Sequence, residues 1–167
     1  MRIGFLEAAV CAALATVAIA ACSSSSDDGQ QATCPPDNKD CAALATVQAG
    51  QQSVQQRHCV DCHTANMAGS AKAIVVQNAA PDVELYAPNL TNDKDTGVGT
   101  WTDDQLANAI RVGIDNTSEQ LCPQMKHFSS MSDFEVYSIV KYLRSLPPVN
   151  QKIPRSVCPP FKTKDQQ

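Results

Sequence analysis

The segment that decides the fold is Cys59-Val60-Asp61-Cys62-His63, in which two cysteines are followed at once by a histidine. Two thiols at this spacing, at the end of a helix, can reach both vinyl groups along one edge of a porphyrin. The adjacent histidine can then turn its imidazole under the iron as the proximal ligand. The motif therefore predicts one covalently attached haem c, held by Cys59, Cys62 and His63.

Two other uses of paired cysteines fit the chain less well. A thioredoxin-type redox motif requires a βαβ context, which the surrounding residues do not show. A tetrahedral zinc site needs four ligands, and no second C-x-x-C or H-x-x-x-H follows the motif. Haem attachment is therefore the favoured interpretation.

Apolar periodicity and capping residues predict three helices. The first covers roughly residues 44–58 and runs directly into the cysteine motif. The second starts at Thr102, which has capping-box spacing to Gln105, and Gly113 is suited to end it. An apolar stripe in this second segment would face the core.

The third helix is predicted over roughly residues 133–146. Ser132 and Glu135 have the spacing of another capping box, and Pro147-Pro148 would end the helix. The stretch 64–101 has few strand signals, and so long an irregular segment is unusual in a small domain unless something large fills the middle. These features predict an all-α domain built around the haem.

The sixth ligand of the iron has three candidates downstream of the motif, namely Met125, His127 and Met131. Met125 lies in the loop between the second and third predicted helices. Met131 precedes the cap residue Ser132, where an apolar side chain usually packs against the helix that it introduces. Met125 is favoured, and the other two remain open.

The chain from residue 88 to 148 resembles a subgroup of class I c-type cytochromes. The resemblance is carried by PNLTNDKDTGVGTWTDDQLANAIRVG, LCPQM and MSDFEVYSIVKYLRSLPPV and, with the cysteine motif, covers about residues 47–149. It implies a small fold of three to four helices, in which the N- and C-terminal helices cross over one covalently bound haem. It also implies electron transfer.

The resemblance further implies roles for individual residues. The family pattern puts His63 and Met125 at the axial positions of the iron. It suggests that a carbonyl near Pro88 accepts a hydrogen bond from the proximal imidazole and that Trp101 lies near a haem propionate. Such contacts orient the ligand and tune the iron.

The first helix departs from the family pattern. Members commonly carry a glycine and an aromatic residue where this helix crosses the last one. Gly50 is present, but Val54 and neighbouring glutamines replace the aromatic residue. We expect Tyr137 and Tyr142 to supply the ring from the other side.

The N-terminus has the features of an exported, lipid-anchored protein. Arg2 is followed by the apolar run Ala8 to Ala21, which is too short to span a membrane and predicts a signal peptide over residues 1–21. Ile19-Ala20-Ala21-Cys22 resembles the lipobox of bacterial lipoproteins. We therefore expect lipidation at Cys22 and a location on the periplasmic side of a membrane.

The remaining chain divides into two parts. Residues 22–42 are polar and rich in small residues, which is typical of a flexible tether. Residues 43–167 form the predicted cytochrome c domain with a C-terminal extension. Of the eight cysteines, four remain after the assignments above and the loss of Cys11 with the signal peptide. We expect them to pair as Cys122 with Cys158, and Cys34 with Cys41.

Charge and ligation together restrict the function. A formal net charge of −4 without a basic patch argues against nucleic acid as a partner. If both axial positions of the iron are filled, no position is left for a substrate. This favours a one-electron carrier that serves redox partner proteins, and it argues against an enzyme. The alternatives are a haem subunit of a larger periplasmic dehydrogenase complex, and a haem sensor or enzyme with a labile sixth ligand.

Overall fold

The computed structural model describes residues 42–74 and 83–158. The predictions for the signal peptide, for Cys22 and for the pair Cys34–Cys41 lie outside these residues. The described part contains four helices and one antiparallel hairpin: α1 Val47–Gln56, α2 Cys59–His63, β1 Ser70–Ile74, β2 Leu85–Ala87, α3 Asp103–Val112 and α4 Asp133–Ser145. None of these helices has the length and apolar character needed to cross a membrane.

The first predicted helix is shorter than expected at both ends. Thr46 caps α1 by accepting a hydrogen bond from the backbone N–H of Ala49 (3.1 Å). His58 has a left-handed backbone (φ 59°), which breaks the helix before the cysteine motif. The motif therefore forms a separate short helix, α2, and α1 ends at Gln56, two residues before its predicted end at His58.

Helix α3 confirms its predicted limits. The Thr102 hydroxyl accepts from the backbone N–H of Gln105, and the Gln105 side chain accepts from the backbone N–H of Thr102. Gly113 ends the helix at φ 73°, a conformation that glycine adopts without steric cost. Local sequence alone determined this element because both of its caps are local.

Helix α4 confirms only half of its predicted capping box. The Ser132 hydroxyl accepts from the backbone N–H of Glu135 (3.2 Å). The Glu135 carboxylate does not complete the box but accepts two hydrogen bonds from Arg57. Glu135 therefore pairs with the distant guanidinium of Arg57 and not with the backbone N–H of Ser132, because hydrogen bonds between two charged groups are stronger than those to a neutral group.

Helices α1 and α4 cross at Gly50. A Cβ atom built on Gly50 would lie 1.9 Å from the carbonyl oxygen of Ser138 and 2.8 Å from Cβ of Tyr142. Only glycine allows the two backbones to approach so closely. Tyr142 is thus the tyrosine at the crossing, whereas the Tyr137 hydroxyl donates to Asp104 on the neighbouring helix (2.5 Å).

The apolar core lies between α1, α3 and α4. Arg111 on α3 and Asp133 on α4 form an ion pair that joins two of these helices. Buried side chains from all three helices and from three loops form one cluster: Val54, Met67, Val98, Leu106, Ala107, Met131, Val136, Ile139, Val140 and Leu143. Cys59 and Val60 of the cysteine motif pack against this cluster, so the motif is an edge of the core.

The stretch that appeared irregular in the sequence contains the β1–β2 hairpin. The C-terminal tail extends this hairpin, because Val157 and Glu84 exchange two backbone hydrogen bonds (2.7 and 3.1 Å). The Ser156 hydroxyl also bonds to both backbone groups of Tyr86. These pairings join residues about 70 positions apart, which local periodicity does not reveal.

Candidate haem-binding site

Backbone strain concentrates around the cysteine motif. His58 and Thr64, which flank α2, have positive φ values of 59° and 67°, and Met67 follows at 58°. Among the residues that the structure describes, only one other non-glycine residue, Ser118, shares this feature. Each such residue costs on the order of 1–3 kcal/mol unless its surroundings hold it. The fold therefore fixes this segment in a shape that the chain would not adopt alone.

The two thiols of the motif are neither disulfide-bonded nor deeply enclosed. Cys59 is half-buried and Cys62 is exposed. Positions three apart lie on the same side of a helix, so both thiols are displayed on one face of α2. Burial raises the pKa of the Cys59 thiol, so this residue favours the protonated form.

His63 is held in one protonation state and one orientation. Its Nδ1 lies 3.0 Å from the carbonyl oxygen of Pro88. A carbonyl can only accept, so Nδ1 carries the proton and Nε2 keeps a free lone pair. Burial also lowers the pKa of His63, which favours the neutral imidazole. The side chain is thus prepared to bind a metal through Nε2.

Asn89 secures the position of the Pro88 carbonyl. Its buried side chain accepts from the backbone N–H of Thr91 (3.0 Å). The amide nitrogen donates to the Thr96 hydroxyl (3.1 Å) and to the Val149 carbonyl (2.7 Å). Sequence reasoning singled out Pro88 but missed Asn89. The adjacent Pro88-Asn89 pair was the only signal that could have pointed to it.

The loop between α3 and α4 carries Met125. Its backbone N–H donates to the Cys122 carbonyl (2.9 Å), and Phe128 donates to the Ile110 carbonyl (3.1 Å). Cys122 forms a disulfide with Cys158, with the two Cα atoms 5.6 Å apart. This is the pair expected from the sequence. The loop is therefore attached to the tail on one side of Met125 and to α3 on the other.

The other two candidates for sixth ligand have different surroundings. Met131 is 2% exposed and belongs to the apolar core. The His127 ring packs against Gly113, where an added Cβ would lie 2.0 Å from Nε2, and this nitrogen is buried without a hydrogen-bond partner. Met125 is half-buried and lies outside the core cluster. Burial in the core disfavours Met131 as a ligand, and the assignment of Met125 stays a prediction.

Trp101 lies at the edge of the core and helps to join a loop to α4. Its indole packs against the core cluster. Its carbonyl accepts from Arg144 (2.6 Å), which also donates to the Val98 carbonyl (3.0 Å). These contacts explain the half-buried position, and the expected proximity to a propionate stays a prediction.

The donor set of the site matches haem c. Two thiols on one helical face can form thioether bonds, a neutral imidazole with a fixed Nδ1 proton can bind iron, and a thioether side chain lies in an anchored loop. Elsewhere in the described ranges, no three histidine, cysteine or acidic residues are grouped so as to hold a metal ion. The chemistry of this site is therefore that of covalent haem attachment.

Comparison with known proteins agrees with the fold and the site. The family model for cytochrome c matches residues 47–147. The chain is 31% identical over 67% of its length to a subunit of the nicotinate dehydrogenase of Pseudomonas putida, covering 10% of that protein. It is 30% identical over 64% of its length to the gluconate 2-dehydrogenase cytochrome c subunit of Pantoea cypripedii, covering 25% of that protein.

A third relative is the fructose dehydrogenase cytochrome subunit of Gluconobacter japonicus, which is 31% identical over 62% of the chain and of which 22% is covered. The chain thus spans between a tenth and a quarter of the length of these relatives. The chain belongs to the cytochrome c family, with the small class I fold. It is a c-type cytochrome.

Proposed function

We propose that this protein carries a single haem c, bound through Cys59 and Cys62 and ligated by His63 and Met125, and transfers one electron at a time between partner proteins in the cell envelope. The observation that carries the proposal is the juxtaposition in α2. Two thiols outside any disulfide share a helical face beside a buried histidine whose Nδ1 is held by the Pro88 carbonyl.

Each residue contributes a distinct property to electron transfer. Bound haem supplies the one-electron Fe(III)/Fe(II) couple. Cys59 and Cys62 fix the cofactor permanently, and the Pro88 carbonyl keeps the His63 ring oriented while increasing its basicity. The soft thioether of Met125 would favour the reduced iron. If His63 and Met125 both bound the iron, no ligand position would remain for a substrate, which suits a carrier.

Replacing Met125 with alanine should remove the sixth ligand. We expect the oxidised protein to lose the weak sulfur-to-iron absorption band near the far red. The reduction potential should fall by on the order of 0.1 V, a fraction of the roughly 0.8 V that axial ligands span. Absorption spectra and a redox titration of the purified variant measure both effects.

The matched control is Met131→Ala, which removes a thioether of the same size from the apolar core. That variant should unfold more easily, by about 2–5 kcal/mol for a buried methionine truncated to alanine. It should nevertheless keep the far-red band. Loss of the band in Met131→Ala and its survival in Met125→Ala would reverse the assignment.

The cell-envelope location is supported by the apolar leader and by the lipobox-like Ile19-Ala20-Ala21-Cys22. Lipidation at Cys22 would retain the domain at a membrane, since each buried methylene contributes about 0.8 kcal/mol. We expect Cys22→Ser to move the protein from the membrane fraction to the soluble periplasmic fraction. Immunoblotting of cell fractions measures this, and a variant that stays in the membrane fraction would exclude lipidation as the anchor.

The names of the relatives support a second candidate function, as the haem subunit of a dehydrogenase complex. Those proteins include the cytochrome subunits of gluconate 2-dehydrogenase and fructose dehydrogenase. A chain in such a complex would receive electrons from a catalytic subunit, and its purification from native membranes should retain that subunit. A third possibility, a sensor or enzyme with a labile sixth ligand, would bind carbon monoxide when ferrous at neutral pH.

A further inference from the structure

Arg57 connects the cysteine motif to helix α4. It follows α1 and lies two positions before Cys59. Its Nε donates to Oε1 of Glu135 and its Nη2 donates to Oε2, both at 2.9 Å. This is the bidentate arrangement that makes arginine–carboxylate pairs directional. The Glu135 side chain is only 19% exposed, against 40% for Arg57, so the pair is partly shielded from solvent.

The same guanidinium also contacts the loop that carries Met125. The Arg57 Cζ lies 5.4 Å from the centroid of the Phe128 ring, and Lys126 Nζ lies 5.6 Å from it. Both distances are within the range of cation–π attraction. One cation comes from the motif side and the other from the loop itself. The Phe128 ring is therefore the point where the motif and the loop meet.

We propose that Arg57, Glu135 and Phe128 form a clamp that holds the Met125 loop in place, so that Arg57 is a positioning residue for ligation by Met125. The disulfide at Cys122 holds the loop before Met125, and the clamp holds it after Met125. A thioether is a weak ligand that external bases can replace when its loop opens. The clamp should therefore raise the free-energy cost of opening, and the proposal rests on Met125 being the ligand.

The test compares ferric holoproteins of the wild type and of five variants: Met125→Ala, Arg57→Gln, Arg57→Lys, Phe128→Leu and Lys141→Gln. Lys141→Gln is the matched control because it also removes one positive charge and one contact made by α4, the hydrogen bond from Lys141 to the Ala45 carbonyl (2.8 Å). Two quantities are measured: the affinity for added imidazole, and the hydrogen-exchange rates of the Met125 and Phe128 amides. The first reports access to iron and the second reports opening of the loop.

We expect imidazole to bind about three- to tenfold more tightly to Arg57→Gln and Phe128→Leu, because both variants lose the cation–π contact and Arg57→Gln also loses the ion pair with Glu135. Both loop amides should exchange faster by a similar factor. Arg57→Lys should lie between Arg57→Gln and the wild type in both measurements. Lysine keeps the charge over the ring but lacks the bidentate geometry. Lys141→Gln should resemble the wild type in both measurements.

The two proposals fail in different ways. If Met125→Ala leaves imidazole affinity unchanged, Met125 is not the ligand, and the clamp as a device for axial ligation falls with it. In a second outcome, Met125→Ala raises imidazole affinity, but Arg57→Gln changes neither measurement more than Lys141→Gln does. Met125 is then the ligand, and the clamp is refuted. The clamp and ligation by Met125 are both supported if Arg57→Gln and Phe128→Leu show faster amide exchange and tighter imidazole binding while Lys141→Gln shows neither.

Discussion

Replacing both Cys59 and Cys62 with alanine should abolish covalent haem entirely. These are the two cysteines of the described residues that lie outside any disulfide, and their positions on one face of α2 suit attachment along one porphyrin edge. Without thioether bonds, haem would be held only by the axial ligands and by packing. The intact mass of the purified variant should equal that of the bare polypeptide, and acidified organic solvent should extract any residual haem.

The matched control removes two cysteines elsewhere. Cys34→Ser combined with Cys41→Ser removes the same number of cysteines and leaves the motif intact. That variant should retain the mass of one haem. A haem adduct that persists in Cys59→Ala/Cys62→Ala, or one that disappears only in the control, would show that attachment occurs at other cysteines.

Enlarging Gly50 should disrupt the crossing of α1 and α4. Even one Cβ at this position would approach the Ser138 carbonyl oxygen to 1.9 Å, and backbone atoms cannot move aside as a flexible side chain can. Gly50→Ala gains about 1 kcal/mol of helix propensity, yet it should still lower the free energy of unfolding. Gly50→Leu should lower it by about 3 kcal/mol or more.

Denaturant unfolding of the holoproteins measures this effect. The control is Gln51→Ala, an exposed neighbour on the same helix, which should change the free energy of unfolding by less than about 0.5 kcal/mol. If Gly50→Leu were as stable as Gln51→Ala, helices α1 and α4 would not cross at Gly50.

The elements that the sequence predicted best are those whose stabilising contacts are local. Helix α3 has both caps within its own segment, and its limits followed from Thr102, Gln105 and Gly113. The fold class followed from the motif and from the family resemblance. Around the site, Pro88 was named through that resemblance, and its carbonyl lies at hydrogen-bonding distance from His63.

The features that escaped prediction depend on partners far away in the chain. Glu135 had the spacing for a capping box, but Arg57, 78 positions earlier, takes its carboxylate instead. The hairpin gains support from the tail through Val157, and no local pattern could reveal that partner. The left-handed backbone of His58 separates α1 from α2, and this conformation is uncommon for residues other than glycine, so the sequence did not predict the break.

The most direct test of the central claim is a spectroelectrochemical titration of the purified wild-type protein, combined with its haem-to-chain ratio. We predict one haem c per chain, a single reversible wave that fits one electron, and a far-red sulfur-to-iron band that appears on oxidation. A protein without a haem adduct, or one whose absorbance does not change with applied potential, would contradict the account.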